Sequence, residues 1–101
     1  FIIGSIGRLS KEKGYDYLIK AFGLNIKMGI KAKLVILGEG AERKKLERII
    51  WEDGLNHHIV LPGYIENARN ILPLFDIFIF KYDQLLYRFW MHYYLHIFNI
   101  V

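Results

Sequence analysis

An α/β fold built on a parallel sheet is predicted by three features of the 101-residue chain. Short apolar runs alternate with amphipathic stretches at helical spacing. The connections between successive runs are long enough for the helical crossovers that parallel pairing needs. The run Leu34-Val35-Ile36-Leu37 is continuous, as in strands covered on both faces. A chain of this length supports a single core, and no repeat, Gly/Ser linker or low-complexity block divides it.

Residues 2 to 6 read as the first strand, an apolar run broken only by Gly4 and Ser5. It opens without an initiator Met, a signal peptide or a charged entry segment, so the expectation is a chain that starts at the edge of a domain inside a longer protein. The stretch Gly7-Arg8-Leu9-Ser10-Lys11-Glu12-Lys13-Gly14 then sets two glycines and a cluster of cations between that strand and a helix beginning near Tyr15. A helix start leaves its first N–H groups unpaired and carries the positive end of the macrodipole, so an anion lying there gains hydrogen bonds and a favourable field. Arg8 and Lys13 add full charges. Gly7 is expected to allow a sharp turn, and Gly14 to let the helix start pack closely. An ordinary βα loop with solvated lysines is the alternative that spacing alone leaves open.

The first helix, residues 15 to 28, aligns Leu18, Ala21, Phe22 and Ile26 on one face, turns Lys20 and Lys27 outward and stops at Gly29. A second strand at 33 to 37 ends in Gly38-Glu39-Gly40, which is either a plain tight turn or part of a site rim at the C-terminal edge of the sheet. Residues 41 to 53 form the second helix, with Leu46, Ile49 and Ile50 inward and Gly54 stopping it. Its charges Glu42, Arg43, Lys44, Glu47, Arg48 and Glu52 read as a solvated face. His57-His58 reads as a polar loop before a third strand at 59 to 61, closed by Pro62-Gly63. A short helix at 67 to 75 interrupted by Pro73 follows, then a fourth strand at 77 to 80.

The net charge of +4 is uneven. Residues 1 to 33 hold seven Lys/Arg against Glu12 and Asp16, residues 34 to 80 five against seven acids, and residues 81 to 101 two against Asp83. Basicity concentrated in the first third suggests a local anion site rather than a long nucleic-acid track. The chain has no cysteine, which excludes disulfides and thiolate metal sites and fits a reducing compartment.

Several segments resemble, in order, the C-terminal, nucleotide-sugar-binding half of group 1 (family four) retaining glycosyltransferases with the GT-B fold. They are Ile6-Gly7-Arg8-Leu9 with Glu12-Lys13-Gly14, Leu18-Ile19-Lys20-Ala21-Phe22, Leu34-Val35-Ile36-Leu37-Gly38-Glu39-Gly40, Val60-Leu61-Pro62-Gly63-Tyr64 and Leu74-Phe75-Asp76-Ile77-Phe78. The match is collinear over residues 1 to 80, and it implies a Rossmann-like parallel sheet that is an incomplete donor-binding domain. By resemblance, Arg8, Lys13 and Gly7 grip the donor diphosphate and Tyr64 and Ile65 cradle the nucleobase. Gly38, Glu39 and Gly40 lie on the site rim. The substrate implied is a UDP- or GDP-sugar whose hexosyl group passes to a glycan or lipid acceptor. Neither a cofactor nor a metal is implied, and the acceptor would need an N-terminal domain missing from this chain.

Residues 81 to 101 depart from the family pattern. The glutamates that hold the donor sugar and ribose in such enzymes have no counterpart, since this stretch contains no Glu, Gly, Ala, Ser or Pro, while seven of its 21 residues are aromatic. The expectation is a shifted reading frame or truncated gene end joined to an intact family segment. Leu85, Leu86, Phe89, Trp90, Tyr93, Tyr94 and Ile97 recur at helical spacing beside a polar stripe of Gln84, Arg88, His92 and His96, while aromatic enrichment leaves a strand open. His92 and His96 have a zinc-site spacing but no third ligand, so no metal is assigned. The uncharged stretch 89 to 101 is too short to span a bilayer, so a cytoplasmic chain with only peripheral, interfacial contact at the inner membrane face is expected. No catalytic residue is assigned. Three readings stand: the donor-binding half of a transferase, inactive alone; a non-catalytic nucleotide or polyanion binder; and an inactive remnant. Half a domain should also expose apolar surface on the sheet.

Overall fold

The computed structural model describes residues 1–79; the expectations for the tail and for position 80 lie outside them. Four parallel strands, β1 (Ile2–Ile6), β2 (Lys33–Leu37), β3 (Ile59–Gly63) and β4 (Ile77–Phe78), form one sheet in the order β3-β2-β1-β4. Helices α1 (Tyr15–Lys27) and α2 (Arg43–Glu52) make the first two crossovers. The α/β parallel sheet and both helices therefore stand as the sequence predicts.

Alternation along the strands gives the sheet two unlike faces. Ile3 pairs with Leu34, Ser5 with Ile36 and Leu34 with Ile59, which puts these residues on the helical face. There they meet Leu18, Ile19 and Phe22 of α1 and Leu46 and Ile50 of α2 in one core. Tyr15 and Ile19, absent from the apolar stripe read from the sequence, are 3% and 0% exposed, so the buried arc of α1 is wider than that stripe. Both helices end in the same hydrogen-bonded stop. Gly29 N–H donates to Ile26 and Ile30 N–H to Asn25, and Gly54 N–H donates to Trp51 and Leu55 N–H to Ile50.

Among the described residues, the cover on the second face comes from the segment 68–75. A 3-10 helix, Ala68–Leu74, stands where a short helix interrupted by Pro73 is expected, and it starts from Asn67 in the left-handed conformation that Asn tolerates. Beyond it, Phe75 lies against Gly4, where any Cβ would collide with its ring, and stacks on Phe78 with centroids 6.4 Å apart. Val60 and Phe78 of the sheet and Leu74 of the 3-10 helix are exposed, apolar surface of the kind expected. Asp76 ties β4 to β1: its carboxylate accepts from Ile2 N–H and its own N–H donates to the Ile2 carbonyl, both at 2.7 Å.

Two local expectations need correction. Strand β3 runs through Pro62 to Gly63 instead of closing at residue 61, because it is an edge strand, where a missing N–H is tolerated. One extra residue in β3 between the pairs Val35–Val60 and Leu37–Gly63 makes a bulge there. The cation-rich stretch contains a 3-10 turn, Lys11–Lys13, that spacing did not indicate. The chain bends at Gly7 as expected, without a positive φ, and the glycine also supplies room, since a Cβ there would stand 2.6 Å from the Tyr15 hydroxyl. Gly14, by contrast, is left-handed (φ 62°) at the N-cap of α1.

That Tyr15 hydroxyl is hydrogen-bonded to Ser5 Oγ at 3.1 Å inside the core. Burial raises the phenol above its ordinary pKa, against a smaller opposing effect of the Ser5 hydrogen bond. The neutral phenol therefore favours the folded state fully below the unfolded value of 10.0, and this contribution is lost as pH rises through the higher folded value. Tyr15→Phe should cost about 1 kcal/mol at pH 7 and should lose less stability than the parent on moving to alkaline pH. Urea unfolding on either side of the tyrosine range checks both. A second prediction concerns Gly40, where a Cβ would collide with the Leu9 backbone. Gly40→Ala should destabilise by about 2 kcal/mol or more, measured by the same unfolding experiment, whereas Gly29→Ala meets open space and bears only the strain of a positive φ.

Candidate functional site

The loops that leave β1 and β2 are joined beyond the ends of the strands. Gly7 N–H donates to Leu37 and Leu9 N–H to Glu39, each at 2.9 Å, and Glu42 N–H returns to the Leu9 carbonyl at 2.9 Å. Gly38 N–H donates to Gly63 at 2.9 Å, which adds the end of β3 to the same seam. This close approach depends on two missing side chains: a Cβ on Gly38 would run into the Gly7 carbonyl, and one on Gly40 into that of Leu9. Gly38-Glu39-Gly40 is thus more than a tight turn; it is where two loops touch through their backbones.

Above this seam, at the C-terminal edge of the sheet, lies a cleft of about 620 Å³. Seven of the eight residues singled out from the sequence line it: Gly7, Arg8, Gly38, Glu39, Gly40, Tyr64 and Ile65. Lys13, the eighth, is not in the lining; its Cε lies 3.6 Å from where a Cβ on Gly7 would stand, so its stem runs along the loop beside the cleft. Arg8 and Tyr64 are exposed and reach solvent at the mouth. The helix start of α1 follows the same loop, and its N-cap residue is Gly14, which has no side chain to cap it.

Sequence reasoning missed the remaining lining residues, Ile6, Leu37 and Ala68. Ile6 and Leu37 are paired across β1 and β2 and point away from the helices, so they form an apolar floor. Period-2 alternation carried that signal, because both are terminal strand residues on the face opposite Ser5 and Ile36.

Arg43 was also misread. In place of a solvated position, its Nε donates to Glu39 Oε1 at 2.6 Å and both terminal nitrogens donate to the Leu61 carbonyl at 3.2 Å. The Glu39 hydrogen bond raises the Arg43 pKa further above its ordinary value. Spacing carried part of this signal, as Glu39 and Arg43 are four residues apart. The other α2 charges behave as a surface face, with Arg48 reaching Glu52 and Lys45 reaching both Glu42 and Asp16 of α1.

Groups set aside at the sequence level lie elsewhere. His57 and His58 precede β3 and line a second cavity, with Lys31 and Lys33, at the opposite end of the sheet. Among the described residues no three His, Cys, Asp or Glu side chains are placed to hold a metal ion, and no helix is long and apolar enough to cross a membrane.

Comparison with known proteins bears on the family and the fold. The family model described as "Glycosyl transferases group 1" matches residues 1–83. The uncharacterised glycosyltransferase MJ1059 of Methanocaldococcus jannaschii is 34% identical over 81 residues, 80% of this chain and 20% of its own length. Among solved structures, S. aureus TarM, as a mutant in complex with Fondaparinux, alpha-GlcNAc-glycerol and UDP, superposes with a TM-score of 0.73 at 30% identity, over 76% of this chain and 16% of TarM. The C-terminal domain of LpcC, a glycosyl transferase group 1 family protein of Francisella tularensis, gives 0.65 at 29% identity over 77% of this chain and 44% of that domain. The chain spans about a fifth of the length of the curated relatives it matches. On its parallel sheet, its joined glycine loops and these matches, the chain belongs to the group 1 glycosyl transferase family.

Proposed function

We propose that this chain is the donor-binding part of a glycosyltransferase and that its cleft takes the nucleoside diphosphate of a nucleotide sugar. The observation that carries the reading is the gathering of Gly7, Arg8, Gly38, Glu39, Gly40, Tyr64 and Ile65 into one cleft at the C-terminal sheet edge, where ligands of open α/β folds bind. The bound UDP in the TarM complex supports a uridine nucleotide as the probe of choice.

In this reading Arg8, Lys13 and the start of α1 hold the diphosphate, with Gly7 keeping the loop free of side-chain bulk. Tyr64 and Ile65 border the base, and the apolar floor of Ile6 and Leu37 excludes water beneath it. Breaking the bond between the anomeric carbon and the diphosphate builds negative charge on the leaving group. Cations and helix N–H groups held against that leaving group would lower the barrier by stabilising the charge as it develops. A hexosyl group would pass to a glycan or lipid acceptor held by a further domain, and a lipid acceptor would be met at the inner membrane interface. This chain alone binds donor without turnover.

Calorimetric titration with UDP tests the reading. Charge-assisted hydrogen bonds to phosphate are worth about 1.5–3 kcal/mol, so Arg8→Ala should weaken binding by about ten- to a hundredfold. Lys13→Ala should weaken it by a smaller factor, since that side chain flanks the cleft. Lys20→Ala, on the exposed face of α1, should leave affinity unchanged. Equal affinity in all four proteins would show that the loop is not the site, and a preference for DNA with a steep salt slope would point to a general polyanion binder instead.

A further inference from the structure

Arg8 and Glu39 are the charged residues among the described lining of the cleft, and they are of opposite sign. A diphosphate entering there meets one attracting and one repelling group. Glu39, however, does not present a bare carboxylate. Its Oε1 accepts from Arg43 Nε at 2.6 Å, and its Oε2 lies 3.0 Å from where a Cβ on Gly63 would stand, so the carboxylate is folded back over the end of β3.

The guanidinium is itself fixed from two other sides. Both terminal nitrogens donate to the Leu61 carbonyl at 3.2 Å, and Nη1 lies 3.6 Å from Glu47 Oε1. A planar fork can satisfy a carboxylate and a carbonyl in this way, whereas an ammonium would have to choose between them. As a source of stability such an exposed i,i+4 pair is weak, because Arg43 and Glu39 retain 27% and 55% side-chain exposure. Its position is what gives it an effect, at the rim of a cleft where an anion must approach.

We propose that Arg43 is a positioning residue of this cleft, which acts through Glu39: it holds and neutralises that carboxylate so that the cleft stays attractive to a diphosphate. The proposal rests on the nucleotide-binding reading given above. It requires that losing Arg43 harms binding in proportion to the charge of the ligand and that removing the Glu39 charge repairs the loss.

The experiment is calorimetry at low ionic strength with UDP, UMP and uridine on the chain and on Arg43→Met, Glu39→Gln and the double variant. Arg43→Met should weaken UDP by about three- to tenfold, UMP by less and uridine by less than about twofold, and added salt should shrink the difference. The double variant should return to within about twofold of the parent for UDP, which is the coupling expected of neighbouring groups. Glu39→Gln alone should bind UDP at least as tightly as the parent. Equal weakening of uridine and UDP by Arg43→Met would mean that Arg43 only shapes the wall, and would overturn the proposal. A double variant no better than Arg43→Met, or a loss of UDP affinity in Glu39→Gln alone, would also overturn it. Since Glu39→Gln leaves Arg43 on Leu61 and Glu47, it keeps the test decisive even if Arg43→Met does not fold. A parent that binds none of the ligands overturns the nucleotide reading and the proposal together; a parent that binds UDP no better than Arg43→Met does overturns the proposal alone.

Discussion

The cleft exists because two loops continue the hydrogen bonding of the parallel sheet after its strands have ended. The bonds from Gly7 to Leu37 and from Leu9 to Glu39 repeat the strand pattern one step further out, and the bond from Gly38 to Gly63 does the same on the other side of β2. Each such bond adds only about 0.5–1.5 kcal/mol net. Their effect is geometric: they fix three loop ends in one surface, with the backbone of one against the next. Two residues without a side chain, Gly38 and Gly40, make the contact possible, and the rest of the rim inherits its position from them.

Much of this was legible in the chain because the signals are local. Strand and helix periods, the stops at Gly29 and Gly54 and the order of elements gave four parallel strands and two helices within a residue or two of those observed. What escaped was tertiary. Pro62 read as the end of a strand, whereas β3 is the outer strand of the sheet among the described residues, a position where a proline and a bulge are tolerated. The burial of Tyr15 depends on Ser5 across the sheet–helix contact, and the inward turn of Arg43 depends on the Leu61 carbonyl, which is 18 residues away. The cleft residues chosen from family likeness came together in space, while the apolar floor of Ile6 and Leu37 could have been found only by asking which face of each strand the helices leave free.

That free face also explains why the site is apolar beneath and polar at its mouth. The helical face is filled by α1 and α2, so the strand ends that remain accessible are the ones pointing the other way, toward the side crossed by the 3-10 helix Ala68–Leu74. Ile6 and Leu37 are there because the strands need apolar residues on both faces, not because a ligand needs them. Polar groups enter from the loops: Arg8 from the first, Glu39 from the second, and the exposed Tyr64 from the end of β3. One architecture thus supplies a dry floor from its strands and specific groups from its turns.

The distribution of charge qualifies the impression left by the basic first third of the chain. Of its seven Lys/Arg residues, Arg8 lines the cleft and Lys13 flanks it. Lys31 and Lys33 stand at the other end of the sheet. The four steps from Lys33 to Leu37 along β2 amount to about 13 Å at 3.3 Å per residue, which exceeds the screening length of about 8 Å at physiological salt. Those distant lysines therefore raise the general potential that an approaching anion feels, a matter of encounter rate, and add little once it is bound. With so few cations in reach, the balance at the site turns on single groups, and a carboxylate on the rim becomes significant. The arginine that holds it matters for the same reason: with Arg8 and Glu39 the charged lining among the described residues, masking the anion turns a near balance of opposite charges into a net attraction.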